Sequence, residues 1–311
     1  MNCQKFIRAQ VKGMARTVGG GRVISALSGG VDSSVCTVLG HRALGKKLKV
    51  IFIDDGLMRQ DEPRQVRRNF ARLGIKVQVI NAQKDFFRAL KGITDPEKKR
   101  KAFRDCFYRT LGKAVKASKA QFLLQGTIAA DIIETKKGVK TQHNILEQIG
   151  IDPKKGYGFR TLEPLKTLFK PGVRAVGKAL GMPREMYLRM PFPGPGLATR
   201  TMGLVTPERV EIVRQACRIV EEETRHVKLF QAFGVLLADQ ATGVTRDGRR
   251  AMGHTIAVRC VDSKNAITAR PTKLSWGRLM AIEKRITREI PSVTKVLYDL
   301  TPKPPSTIEY I

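Results

Sequence analysis

Aromatic residues make up only 6% of this 311-residue chain, with a single Trp. No apolar run approaches the ~20 residues that a bilayer-spanning helix requires. The N-terminal stretch MNCQKFIRAQVKGMAR has no apolar core of the kind found in a secretory signal. A cytoplasmic protein with no membrane partner is therefore expected. Cysteine is sparse, scattered and odd in number: Cys3, Cys36, Cys106, Cys217 and Cys260 contain no C-x-x-C pair. This argues against a zinc ribbon and a redox dithiol, and fits small buried hydrophobes in a reducing compartment. The four histidines (His41, His143, His226, His254) show no metal-ligand spacing. Acidic residues are also few, 27 against 58 Lys plus Arg, for a net charge of +31. Such a field draws in polyanions, whether nucleotides, nucleic acid or an acidic protein, and adaptation to the host's salt or temperature gives the same excess. The positive charge peaks at EKKRKAFR (97–104) and TRDGRR (245–250) but forms no basic tail or Arg-rich arm, so nucleic acid is not the expected partner.

What is present is a βα rhythm. With 42% hydrophobic residues the chain can build packed cores, and its length suits two domains. RVISAL (22–27), LKVIFID (48–54), IKVQVI (75–80) and AQFLLQG (120–126) read as strands. Helical patterns over 32–44, 62–74, 83–91, 96–118 and 174–181 separate or follow them. Strands alternating with helices predict an α/β fold with a doubly wound parallel sheet, whose ligands bind at the carboxyl ends of the strands. RMPFPGPGLATR (189–200), dense in Pro and Gly, forbids helix or central strand and is the expected boundary. Domains are thus expected at 1–189 and 190–311. The second is a smaller α+β unit with helices near 207–225 and 273–289 and strands near 229–238, 254–261 and 294–300.

The turn after the first strand carries the chemistry. In SGGVDSS, Ser28 to Ser34, two glycines permit positive φ and leave no Cβ in a ligand's way. Their N–H groups converge with the orphan donors of the following helix to make an anion nest. Serine hydroxyls add donors. The turn has no Lys, so the expected guest is a phosphate chain partly neutralised by a metal ion, with Asp32 a candidate Mg²⁺ ligand. GHRALGKK (40–47) only imitates a Walker loop: Lys47 stands where a hydroxyl is needed, and no strand precedes it.

SGGVDSS resembles the pyrophosphate loop of the ATP pyrophosphatases, which cleave ATP between its α and β phosphates and adenylate a substrate oxygen. Within that superfamily FIDDGLMR (52–59), LLQGTIAADIIET (123–135), EPLKTLFKPGVR (163–174), PFPGPGL (191–197) and YDLTPKPPSTIEY (298–310) resemble the GMP synthetase family, in order and nearly end to end. The resemblance implies an adenine nucleotide alpha-hydrolase-like domain followed by a dimerisation domain. It also implies the reaction: XMP is adenylated by MgATP with release of pyrophosphate, and ammonia then displaces AMP to give GMP.

Site roles follow from the same resemblance. Ser28, Gly29, Gly30, Val31, Asp32, Ser33 and Ser34 would hold the β and γ phosphates, and Asp32 the Mg²⁺. Lys170 falls where the family has a phosphate-reaching lysine. Ile53 and Leu57 would border adenine, although apolar residues at a strand end equally suit a core. Gly126 and Asp131, with Glu134, lie in the Q-G-T…D-x-I-E stretch near the nucleotide. Lys303 would meet the XMP phosphate, Ile308 and Glu309 would contact the same nucleotide, and Gln231, Asp247 and Arg249 would complete that site. Met190 stands where the family has a histidine, and the tyrosine common near 251–252 is missing; both bear on XMP binding. The chain opens almost directly on the SGGVDSS domain, resembling the separate-subunit arrangement of archaea, so ammonia would come from a partner glutaminase or free ammonium. A homodimer is expected, and a lid is expected at 136–158. Rival readings are a tRNA-modifying ATP pyrophosphatase, which lacks its cysteine pairs here, a non-enzymatic nucleic-acid binder, and NAD synthetase, which KPPSTIEY disfavours.

Overall fold

A computed structural model describes residues 1–136, 160–244, 248–264 and 266–310. The expected lid at 136–158 falls almost wholly outside the described residues, as does Asp247. The chain divides into two compact units. The first comprises Met1–Asp54, Asp61–Ala82 and Asp105–Arg189; the second comprises Asp55–Gln60, Gln83–Arg104 and Met190–Ile311.

In the first unit, helix α1 (Cys3–Val18) is capped by the Asn2 side chain, which accepts from the Lys5 N–H at 3.0 Å. It buries Ile7, Met14 and Val18. Strands β1 (Val23–Leu27), β2 (Leu48–Asp54), β3 (Val77–Asn81), β4 (Phe122–Leu124) and β5 (Arg160–Leu162) form one parallel sheet in the order β3-β2-β1-β4-β5. The centre of β1 and β2 is buried on both faces: Val23, Ile24, Ile51 and Phe52 are at most 1% exposed, and the one polar side chain at the middle of β1, Ser25, shares a hydrogen bond with Thr37 at 2.8 Å. Such continuous runs are what a sheet covered by helices on both sides requires. Helices α2 (Val31–Leu44), α3 (Glu62–Ala71), α6 (Ala129–Lys136) and α7 (Lys170–Ala179) belong to this unit. Gly40 lets α2 press on the sheet, since a Cβ there would lie 2.3 Å from the Leu124 side chain. Val23 pairs with Leu48 on one side and Phe122 on the other. The chain direction across the sheet therefore reverses between β1 and β4, which places the β1–α2 turn at the switch point.

Helices α4 (Gln83–Leu90) and α5 (Pro96–Ser118) follow β3, and α4 with the start of α5 belongs to the second unit. That unit also contains α8 (Pro207–Glu223), α9 (Trp276–Glu289) and a sheet of β6 (Gln231–Val244), β7 (Arg250–Asp262), β8 (Arg270–Pro271) and β9 (Val293–Tyr298). β7 is antiparallel to β6 and β8 and parallel to β9. Thr206 and Ser275 cap α8 and α9 through the N–H groups of Arg209 and Arg278, both at 3.3 Å. α8 buries Val210, Val213, Ala216, Ile219 and Val220 on the side that meets β6. Gly234 allows the close approach: a Cβ there would lie 2.9 Å from that of Ala216. An ion-pair network joins α8 to α9. Arg285 reaches Glu222 at 2.7 Å, Glu223 at 2.8 Å and Glu289 at 2.9 Å, and Arg218 reaches Glu289 at 2.7 Å.

The strand expected near 229–238 is longer, because β6 continues to Val244 in a polar hairpin with β7. Among the described residues no helix is long and apolar enough to cross a membrane.

Candidate active site

The SGGVDSS turn joins β1 to α2. Gly29 adopts φ +75°, a conformation that glycine tolerates at no steric cost, and Gly30 is the N-cap of α2 with extended backbone. The turn closes on itself through its serines. Ser28 and Ser33 hydroxyls lie 2.9 Å apart, Ser33 Oγ donates to the Gly30 carbonyl at 3.1 Å, and the Gly30 N–H points at Ser28 Oγ at 3.3 Å. Ser34 is buried, and its N–H is spent on the Gly30 carbonyl at 3.0 Å. Val31, 6% exposed, anchors the first turn of α2 in the core.

Two partners distant in sequence fix this loop. Arg189 donates to the Gly29 carbonyl at 3.0 Å and forks onto both oxygens of Glu62, whose side chain is 3% exposed. A Cβ at position 29 would fall 2.6 Å from Glu62 Oε1. On the other side, a Cβ at Gly126 would lie 2.8 Å from the Asp32 carbonyl carbon and from Ser33 N. The chain leaving β4 thus touches the backbone at the start of α2, and only glycine fits there. Neither Glu62 nor Arg189 stood out in the sequence. Glu62 falls at the start of the helix expected over 62–74 and Arg189 at the start of the boundary segment 189–200, and 127 residues separate the partners.

Lys170, the first residue of α7, places its ammonium 2.5 Å from Asp32 Oδ2. Asp32 Oδ1 is buried and has no hydrogen-bond partner among the described residues. One carboxylate oxygen is therefore held and the other is buried without a partner among the described residues. Beside them opens a cavity of about 310 Å³, lined by Ser28, Gly30, Asp32 and Ser33 from the loop and by Gly126, Thr127, Asp131 and Glu163 opposite. Asp131 Oδ2 accepts from the Ile128 N–H at 3.0 Å at the start of α6, and Thr127 donates to Glu163 at 2.7 Å. These are hard oxygen donors of the kind Mg²⁺ prefers. Among the described residues no three His, Cys, Asp or Glu cluster around one point. A cation at Asp32 Oδ1 would take most of its remaining ligands from phosphate and water, the usual arrangement for Mg²⁺ on a nucleotide. Cys36 donates to the Gln125 carbonyl at 3.0 Å, and burial, reinforced by Glu163 and Asp32, raises its pKa well above the ordinary thiol value. It is a neutral thiol and no nucleophile.

Ile53 and Leu57 do not line this cavity. Ile53 pairs with Ile80 in the sheet and is 4% exposed; Leu57 is fully buried, its carbonyl accepting from the Leu197 N–H at 2.7 Å.

In the second unit, Gln231 and Glu309 meet. Gln231 Nε2 lies 2.5 Å from Glu309 Oε1, and the same carboxylate takes a fork from the buried Arg200 at 2.8 and 3.0 Å. Arg200 stacks over the Phe233 and Phe192 rings at 4.0 and 5.0 Å. Ile308 packs against Val261, Ala269 and Phe230. Lys303 donates to the Ala266 carbonyl at 2.8 Å. Arg249 lies elsewhere. It precedes β7, whereas Gln231 pairs with Val261 near the far end of that strand. Twelve residues of extended chain separate the two ends, roughly 40 Å.

A parallel sheet in this order, with a Ser-Gly-Gly-x-Asp-Ser-Ser turn at its switch point and a second, mainly antiparallel sheet, is the fold of an α/β ATP pyrophosphatase. The NAD synthase family model matches residues 2–194, and the model for the GMP synthase C terminal domain matches residues 218–310. The B subunit of the glutamine-hydrolyzing GMP synthase of Archaeoglobus fulgidus is 49% identical over 311 residues, covering 100% of both chains. Its counterpart from Methanopyrus kandleri is 45% identical, covering 99% of this chain and 98% of the relative. Among solved structures, an NH3-dependent NAD synthetase from Campylobacter jejuni aligns with a TM-score of 0.47 and 18% identity, over 61% of this chain and 77% of that one. The chain belongs to the family of GMP synthase B subunits. Its activity class is that of an ATP-using carbon–nitrogen ligase of GMP biosynthesis, and nothing favours a tRNA-modifying enzyme. Because these relatives are each named as one subunit of a synthase, a separate partner subunit is implied.

Proposed function

We propose that the chain adenylates XMP at O2 with MgATP and aminates the adduct with ammonia from a separate glutaminase subunit, as a cytoplasmic homodimer. The observation that carries the reading is the divided Asp32 carboxylate, one oxygen on Lys170 and one without a partner, at the mouth of the SGGVDSS turn. The uncommitted N–H groups and hydroxyls of the Ser28 to Ser34 loop bind the β and γ phosphates, with Gly126 and Asp131 closing the opposite wall. Asp32 would hold Mg²⁺, which when bound would neutralise charge on the pyrophosphate. Lys170, steered by Asp32 Oδ2, supplies the second positive charge to the phosphates.

XMP O2 attacks the α phosphorus, the Pα–O–Pβ bond breaks, and pyrophosphate leaves. Ammonia then adds at C2, the C2–O bond breaks, AMP departs, and a proton is released to solvent. No side chain needs to form a covalent bond. Orientation and electrostatic stabilisation carry the rate, which fits a site built of loop donors and one carboxylate. XMP is held by Lys303 at its phosphate, with Gln231, Asp247, Arg249, Ile308 and Glu309 completing its contacts. Within one protomer Arg249 is remote from Gln231, so those contacts come from two protomers of the dimer.

The test is pyrophosphate release by the purified chain with MgATP and ammonium, with and without XMP, alongside chromatography for GMP. XMP-dependent pyrophosphate matched by equal GMP supports the reading. Release that ignores XMP and responds to tRNA overturns it.

A further inference from the structure

The segment DLTPKPPSTI (299–308) contains little regular structure, yet three of its backbone carbonyls converge on one side chain. Arg259, in β7, is 0% exposed. Its Nε donates to the Ile308 carbonyl at 2.9 Å and its Nη2 to the Thr307 carbonyl at 2.6 Å. Its Nη1 donates to the Thr301 carbonyl at 3.0 Å and to Asp299 Oδ2 at 2.6 Å. Buried carbonyls left unmade are costly, so a planar fork that satisfies three of them dictates the path of the chain. A buried ion pair adds little stability that well-packed apolar residues could not match. What Arg259 supplies is a single rigid group that ties residue 301 to residues 307 and 308 across the turn. Beyond this segment Arg200 grips the Glu309 carboxylate, so the chain is pinned on both sides of its prolines. Lys303 lies between the pins. Its N–H and carbonyl pair with Ala269 at 2.8 and 3.1 Å, and its ammonium, which donates to the Ala266 carbonyl at 2.8 Å, has further donors for an anion.

We propose that Arg259 is a positioning residue for the nucleotide-monophosphate site: without touching XMP, it fixes residues 299–308 so that the Lys303 ammonium meets the XMP phosphate. The inference rests on the reading of Lys303 given under the proposed function. A lysine at 259 keeps the charge but offers a point donor on a flexible stem and cannot span carbonyls at 301, 307 and 308 together.

The experiment uses the full chain and measures XMP-dependent pyrophosphate release against XMP and against ATP for R259K, D299N, K303M and the double variant R259K/K303M, with thermal unfolding of each. R259K is expected to raise KM for XMP at least about tenfold, with kcat at saturating XMP and KM for ATP near wild type, the pattern of lost ground-state binding. D299N, which removes only the charged acceptor and keeps the three carbonyl bonds, is expected to move KM for XMP the same way by less. It keeps the test open if R259K folds poorly. Because Arg259 acts through Lys303, K303M is expected to add little in the R259K background. Full additivity of the two substitutions overturns the proposal, as does a rise in KM for ATP equal to that for XMP. An unchanged KM for XMP in K303M alone instead overturns the reading of Lys303.

Discussion

Replacing Glu62 by Gln should loosen the phosphate loop from behind. Glu62 is 3% exposed at its side chain and carries the fork from Arg189, which is 22% exposed and also holds the Gly29 carbonyl at 3.0 Å. Removing one member of a buried pair costs about 3–5 kcal/mol, because the other charge is left uncompensated. Arg189 keeps some water and its bond to Gly29, which puts the expected loss near the lower end, about 3 kcal/mol. For a unit of this size each kcal/mol lowers the melting temperature by about 2–4 °C, so a drop of about 6–12 °C is expected by calorimetry. Function should suffer separately. Without Glu62, Arg189 no longer holds the Gly29 carbonyl in a fixed place, and a displacement of the phosphate nest of about 1 Å lowers kcat/KM for ATP by up to about 100-fold. The double variant E62Q/R189M removes the stranded charge and should regain most of the melting temperature but not the ATP kinetics, because Gly29 remains unbraced. A single E62Q variant that melts within about 2 °C of wild type with unchanged ATP kinetics would refute the assignment of this pair as the support of the loop.

Other perturbations separate site from scaffold. Asp32→Asn should cut XMP-dependent pyrophosphate release by at least about 100-fold, read by a coupled phosphate assay, while circular dichroism stays native. Its partner Lys170 is half-exposed, so the pair contributes little to stability. Glu289, held by Arg285 and Arg218, has its pKa lowered to about 2 from 4.5. Its contribution to stability is present above pH 4.5 and is lost as pH falls toward 2. Arg285→Ala should flatten that acid limb in urea unfolding curves, and added salt should narrow the difference from wild type. Lys99 is buried against the Thr201 carbonyl at 2.8 Å, and burial, with Arg209 nearby, lowers its pKa to about 8 from 10.5. The unfolded chain therefore binds more protons than the native one between pH 8 and 10.5, so Lys99 makes stability rise across that window. Lys99→Met should remove that rise in urea unfolding at pH 7.5 and 10, and a rise that survives the substitution contradicts the account.

The first half of the fold was legible because its signals are local and coherent. Val23 to Leu27 is a mostly apolar run followed at once by Ser28 and two glycines, and such a run followed by a turn and a helix admits few structures. β5 left no trace: three residues at a sheet edge, two of them exposed, carry no pattern. α1 contains the i, i+7 spacing of Ile7 and Met14, but its stretch was weighed only as a possible signal peptide. The far half of β6 was hidden by Thr, Gly and Gln, since a solvated hairpin lacks the apolar alternation that marks a strand. At the site, Ser28 to Ser34 followed from the chemistry of the turn and Lys170 from the family resemblance, whereas Glu62, Arg189, Arg200 and Arg259 had neither signal. A count of +31 treats every arginine as a surface charge. Burial is set by distant partners, and the sequence of β7 gives no sign that Arg259 serves a loop more than 40 residues later.

The exchange of segments between the two units has a consequence for how such a chain can be cut or recombined. Residues 55–60 and 83–104, translated long before Met190, are structural parts of the second unit. They supply Leu57, whose carbonyl receives the Leu197 N–H, and Lys99, whose ammonium donates to the Thr201 carbonyl. They also carry Gly56 and Met58, whose carbonyls accept from Arg214. A fragment beginning at the proline-rich junction would start life with those sockets empty. A fragment ending there would expose Phe86 and Leu90, both 0% exposed in the intact chain. Gene fusion at the ends of this chain leaves both units whole, whereas shuffling at its middle breaks both.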